Sequence, residues 1–126
     1  GQVIAVESSS GAVRQGQEKT MTLGIENIEW IEGDVEWGLK KIYRKKVSPD
    51  ILVLDPPRRG AKEILDLISL IRPRQVVYVS CDPVTLARDL KELLRRHYRL
   101  EKIQPIDMFP QTYHIESVVQ LERKEE

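Results

Sequence analysis

Short runs of aliphatic and β-branched residues alternate along this chain with longer stretches whose apolar positions recur every three or four residues. The first pattern predicts strands and the second predicts helices. Strands are expected near 2–6 (QVIAV), 27–31 (NIEWI), 50–54 (DILVL), 75–79 (QVVYV), 98–106 and 115–121, with helices near 11–22, 35–44, 61–71 and 83–97. Such alternation is the signature of βα repeats around a largely parallel sheet. The clearest helix is "TLARDLKELLRRHY", where Leu86, Leu90, Leu93 and Leu94 share one face. Asp82 suits the cap before it and Pro83 its first turn. Beyond residue 97 the last two strands are separated by "DMFPQTYH". That leaves no room for a crossover helix, so an antiparallel hairpin at the sheet edge is expected.

Composition narrows this α/β reading. With 126 residues the chain has the size of one domain, 1–126. It holds no apolar run long enough for a membrane span, and its start lacks the basic and apolar stretches of a secretory signal. A single cysteine excludes an intrachain disulfide and agrees with a cytoplasmic location. Lysine plus arginine and aspartate plus glutamate number 20 each, so bulk charge gives no argument for nucleic acid. Positive charge is nonetheless clustered in "KKIYRKK", "PPRRG", "RPR" and "RRHYR". Solvated helix faces account for most such clusters.

Ligands of open α/β sheets bind outside the carboxyl ends of the strands. Glu7, Asp34, Asp55, Ser80, Cys81 and Asp82 all fall at or soon after predicted strand ends. Each acid has a plain alternative as a helix cap or turn former. In doubly wound nucleotide-binding folds a glycine-rich turn follows the first strand, and an acid ending the second strand binds ribose hydroxyls. "VIAVE" supplies such a strand and its acid, Glu7, but the chain contains no G-x-G turn. The two prolines of "LDPPRRG" stiffen the loop carrying Asp55 and Arg58.

Cys81 has two readings from its residues alone. A lone cysteine after "VVYVS" suits a small buried hydrophobe. Its place at a helix N-terminus favours a thiolate nucleophile, for which His114 or Glu116 of "TYHIES" offers a base. The two histidines and one cysteine make no recognisable metal set.

Taken together, "LDPPRRG", "VVYVSCDPVTLARDL" and "DMFPQTYHIESVVQLER" resemble the C-terminal catalytic half of the RNA uracil-C5 methyltransferases. The resemblance covers residues 1–126 and implies a Rossmann-like class I fold that uses S-adenosylmethionine, here without its first strand and glycine-rich loop. It implies Cys81 as nucleophile and Glu116 as general base, with Glu7, Asp34 and Asp55 at the cofactor and Arg58, Phe109, Tyr113 and His114 at the substrate. The implied chemistry is addition of the thiolate to uracil C6, methylation at C5, removal of the C5 proton and β-elimination. The implied partner is RNA, with "DMFPQTYHIE" leaning toward ribosomal over transfer RNA, and the target base must be splayed out to reach the thiol. The chain departs from the family pattern in having Asp82 where asparagine is more common, and "QGQEKTMTLG" where asparagines are usual. The absent strand belongs beside both the Glu7 and the Asp55 strands. A partial chain is therefore expected, with open edges covered by dimerisation or a strand swap. A binding or assembly module without turnover is the alternative reading.

Overall fold

The computed structural model describes residues 1–108, 111 and 115–125. Its elements follow in the order β1 (Val3–Glu7), α1 (Ser10–Thr22), β2 (Ile28–Glu32), α2 (Val35–Arg44), β3 (Ile51–Leu54), α3 (Leu65–Ile71), β4 (Gln75–Ser80), α4 (Pro83–Arg96), β5 (Tyr98–Ile106) and β6 (Glu116–Arg123). The predicted 61–71 helix is divided into a 3₁₀ turn at Lys62–Ile64 and α3. It stops at Arg72, which takes a left-handed conformation (φ 54°) ahead of Pro73, a residue that cannot continue the helix.

The strands form two separate sheets. β1 and β2 pair in parallel, and β3, β4, β6 and β5 form a second sheet in that spatial order. β3 and β4 are parallel, whereas β6 runs antiparallel to both β4 and β5. The closing hairpin with β5 at the sheet edge is thus borne out.

The core lies on one face of the larger sheet. Alternate residues Val76 and Tyr78 of β4 and Val119 and Leu121 of β6 are fully buried there, beneath Ile68 of α3 and Leu93 of α4. This is the period-two rule of strands meeting the apolar stripes of helices. On the opposite face Ile51 and Val53 of β3 remain exposed, at 51% and 65%. β1 joins the same core through Ile4 and Val6. Helix α2 crosses Val6 at Gly38, where an added Cβ would lie 2.4 Å from a Val6 methyl. Only glycine permits that approach.

Among the described residues, neither β1 nor β3 has a strand partner on the side where they face each other. Between them lies a cleft of about 430 Å³, walled by Ile4 and Val6 on one side and by Leu52 and Leu54 on the other. The unpaired edges expected from the sequence are present.

Candidate active site

The turn from β4 into α4 is tightly specified. Buried Ser80 ends the strand, its Oγ accepting the Asp82 N–H at 3.1 Å and donating to the Asp82 carbonyl at 2.9 Å. Asp82 caps α4, its Oδ1 accepting the N–H groups of Val84 at 2.9 Å and Thr85 at 3.0 Å, with Pro83 in the first turn. The Thr85 N–H holds the Asp82 carboxyl below the usual carboxylate range, and the Val84 N–H and the Arg58 charge act in the same direction. Cys81 sits half-buried between these two anchored residues, with a free thiol at the N-terminus of the helix. The helix dipole favours negative charge there.

The sheet register supplies the second group. β4 and β6 pair from Gln75 with Glu122 through to Ser80 with Ser117. Cys81 follows Ser80 and Glu116 precedes Ser117, the last pair of this register, so both stand at the same end of the β4–β6 ladder. A thiol and a carboxylate separated by more than 30 positions in sequence are therefore directed to one sheet end. Phe109, Tyr113 and His114 lie outside the described residues.

The loop after β3 packs against the start of α4. Three side chains at adjacent positions on that helix hold successive loop groups: Thr85 Oγ1 donates to the Arg58 carbonyl at 2.7 Å, Arg88 Nη2 to the Arg59 carbonyl at 2.8 Å, and Asp89 Oδ2 accepts the Ala61 N–H at 2.6 Å. Asp89 is fully buried and also accepts from the Tyr78 hydroxyl at 2.6 Å and from Arg88 at 2.8 Å and 3.0 Å. Burial, followed by the bond to Asp89, pushes the Tyr78 phenol well above its ordinary value. Gly60 makes the approach possible, with φ +81° and an added Cβ only 2.5 Å from Asp89 Oδ2. Sequence reasoning missed Asp89. The available signal was an acid embedded in the Leu86, Leu90 and Leu93 face.

The acids expected at the cofactor are distributed unequally. Glu7 and Asp55 both line the cleft between β1 and β3, together with Arg59. Glu7 Oε1 also accepts the Ser9 N–H at 2.8 Å, ordering the turn into α1. Asp34 lies outside the cleft lining among the described residues and caps α2, accepting the Trp37 N–H at 2.8 Å. Arg58 is likewise outside that lining; its backbone is fixed by Thr85 and its charge acts on Asp82.

The family model described as tRNA (Uracil-5-)-methyltransferase matches residues 3–124. The chain belongs to this family. Relatives include an uncharacterized RNA methyltransferase of Caldanaerobacter subterraneus, 43% identical over 122 residues that make up 96% of this chain and 27% of that protein. The 23S rRNA (uracil(1939)-C(5))-methyltransferase RlmD of Shewanella sp. is 44% identical over 96% of this chain and 27% of its own length. The chain thus spans about a quarter of the length of the curated relatives it matches. Among solved structures, Pyrococcus abyssi tRNA (uracil-54, C5)-methyltransferase in complex with S-adenosyl-L-homocysteine superposes with a TM-score of 0.75 at 28% identity, covering 95% of this chain and 28% of that one. A Streptococcus thermophilus rRNA methylase at 17% identity, TM-score 0.71, shares the fold over 98% of this chain and 74% of its own. The architecture is the Rossmann-like fold of S-adenosylmethionine-dependent methyltransferases.

Proposed function

We propose that this chain carries the catalytic residues of an RNA uracil-C5 methyltransferase acting on ribosomal RNA, with Cys81 as nucleophile and Glu116 as general base. The observation that carries the reading is the β4–β6 register, which directs the only cysteine and Glu116 to the same sheet end, at the N-terminus of a capped helix. Membership of the uracil-5-methyltransferase family supports the reaction class. The ribosomal choice is supported by 44% identity to the 23S rRNA enzyme, against 28% to the transfer-RNA enzyme of known structure.

Uracil C5 is a poor nucleophile until C6 carries an electron-donating adduct. Cys81 Sγ forms a bond to C6, and the ring electrons move toward C5 and O4. S-adenosylmethionine, when bound, supplies an electrophilic methyl group. Glu7 and Asp55 would hold it: two carboxylates in a cleft walled largely by aliphatic side chains suit the cofactor's ribose hydroxyls and its amino-acid ammonium. Asp34 would take a supporting place through the turn it caps. Once C5 carries its methyl group, Glu116 removes the C5 proton, the bond from C6 to Sγ breaks, and the Cys81 thiolate is released. Covalent addition thereby replaces one difficult step by several easier ones. Arg58, held beside the Cys81 turn, together with Phe109, Tyr113 and His114, would meet the flipped nucleotide.

A second reading, a module that binds without turnover, is favoured by the open edges of β1 and β3. Transfer of labelled methyl groups from S-adenosylmethionine to ribosomal RNA distinguishes the two. The catalytic reading predicts 5-methyluridine as product and a loss of at least about 1000-fold in Cys81→Ala. Equal incorporation by Cys81→Ala would refute it.

A further inference from the structure

We infer that Asp89 is a positioning residue for the Cys81 reaction, acting through the 55–60 loop. The inference rests on the reading that this loop and Cys81 belong to one site. Asp89 lies on the buried face of α4 among Leu86, Leu90 and Leu93, where an aliphatic side chain would pack without the cost of desolvating a carboxylate. Against that cost, the acid answers the Ala61 N–H and the Tyr78 hydroxyl, buried donors that an aliphatic side chain would leave unpaired. What the carboxylate adds is direction, since it joins three segments at once. It takes the Ala61 N–H from the far end of the loop, the Tyr78 hydroxyl from the strand that ends in Cys81, and the Arg88 guanidinium from its own helix.

Arg88 extends the grip to the Arg59 carbonyl and Thr85 to the Arg58 carbonyl, so the loop is held at both ends of its Arg-Arg-Gly turn. At Gly60 a side chain would collide with Asp89 and Arg88, so its absence lets the loop come this close. These hydrogen bonds tie the proline-stiffened loop that carries Asp55 and Arg58 to the start of α4, beside the Cys81 turn. Asp89 touches no reacting atom; its effect is on where the neighbouring groups stand.

The test uses the full-length protein containing this chain, with Asp89→Asn as an isosteric change that replaces one acceptor oxygen by a donor. Turnover on ribosomal RNA is predicted to fall about 100-fold while the KM for RNA stays within about threefold, the split expected of misplacement. Hydrogen exchange at the Ala61 amide is predicted to accelerate while the Leu93 amide in the same helix keeps its protection. Thr85→Val, which removes the hydroxyl's 2.7 Å bond to the Arg58 carbonyl and its longer one to the Asp82 carbonyl, is predicted to lower turnover about tenfold with an unchanged melting temperature.

Unchanged turnover in Asp89→Asn overturns the inference, and so does equal acceleration at Ala61 and Leu93, which would mark a general loosening. If Asp89→Asn does not fold, wild-type turnover in Thr85→Val overturns it. A wild-type protein that methylates no uridine refutes the functional reading instead. The exchange comparison still reads the clamp in that case, and unchanged exchange at Ala61 overturns it.

Discussion

Cys81 owes its setting to its two neighbours. Ser80 turns its hydroxyl back onto Asp82, and Asp82 takes two amides of α4, so the thiol is held at the helix N-terminus while remaining half-exposed. Asp82 is itself a testable part of this arrangement. Its folded carboxyl is held low by the Thr85 and Val84 amides and by Arg58, so its ionised form favours the folded state above the unfolded-state value. That advantage is lost as pH falls through the lower, folded value. Asp82→Asn, which keeps an acceptor but removes the charge, is predicted to melt below wild type at neutral pH, with the gap closing in acid as pH falls through the lowered folded value. Thermal melts across that range check it, and a gap independent of pH would contradict it. Glu116→Gln belongs to the same scale. The residue would still pair in β6 but accept no proton, so the Cys81 adduct is predicted to accumulate on ordinary uridine RNA. Denaturing gels reveal it, and Glu116→Gln turning over at the wild-type rate would contradict it.

Helix α4 connects this turn to the core. Leu93 is fully buried, and Leu93→Ala is predicted to cost about 2–5 kcal/mol in denaturant unfolding, by lost burial and a residual cavity. A change below about 1 kcal/mol would mean that the face is less well packed than described. The leucine spacing made this helix legible in the sequence, as did the period-two runs of β4 and β6 and the short link between β5 and β6. Apart from the start of the 61–71 helix, boundaries fell within two residues, helped by local signals such as Asp82, Pro83 and Pro73. The break between Lys62–Ile64 and α3 was not legible. It arises where the Ala61 amide is committed to Asp89, a residue distant in sequence. Asp89 escaped notice for a related reason: its position says core and its chemistry says surface, and only the partners brought by the fold reconcile the two. For the cofactor acids, strand ends could be read from sequence, but which ends share a cleft depends on sheet order.

For the molecule as a whole, the division into two sheets is the dominant feature. β1 and β3 face each other unpaired across the cleft, and Val53 beside it is exposed at 65%. Unpaired edges with apolar neighbours recruit further strands. The isolated 126-residue chain is therefore predicted to self-associate, with light scattering giving at least a dimer at high concentration. A monomer under those conditions would contradict pairing at these edges. The central claim, that Cys81 forms a covalent bond to a uracil, has its own direct measurement. Full-length protein containing this chain, given S-adenosylmethionine and ribosomal RNA bearing 5-fluorouridine, should stall after methylation because fluorine occupies the place of the proton that Glu116 removes. Mass spectrometry of the digested complex is predicted to find the methylated fluorouridine attached to the Cys81 peptide, with no adduct in Cys81→Ala. An adduct that survives Cys81→Ala, or none in a wild-type protein that methylates ordinary uridine, would contradict the account.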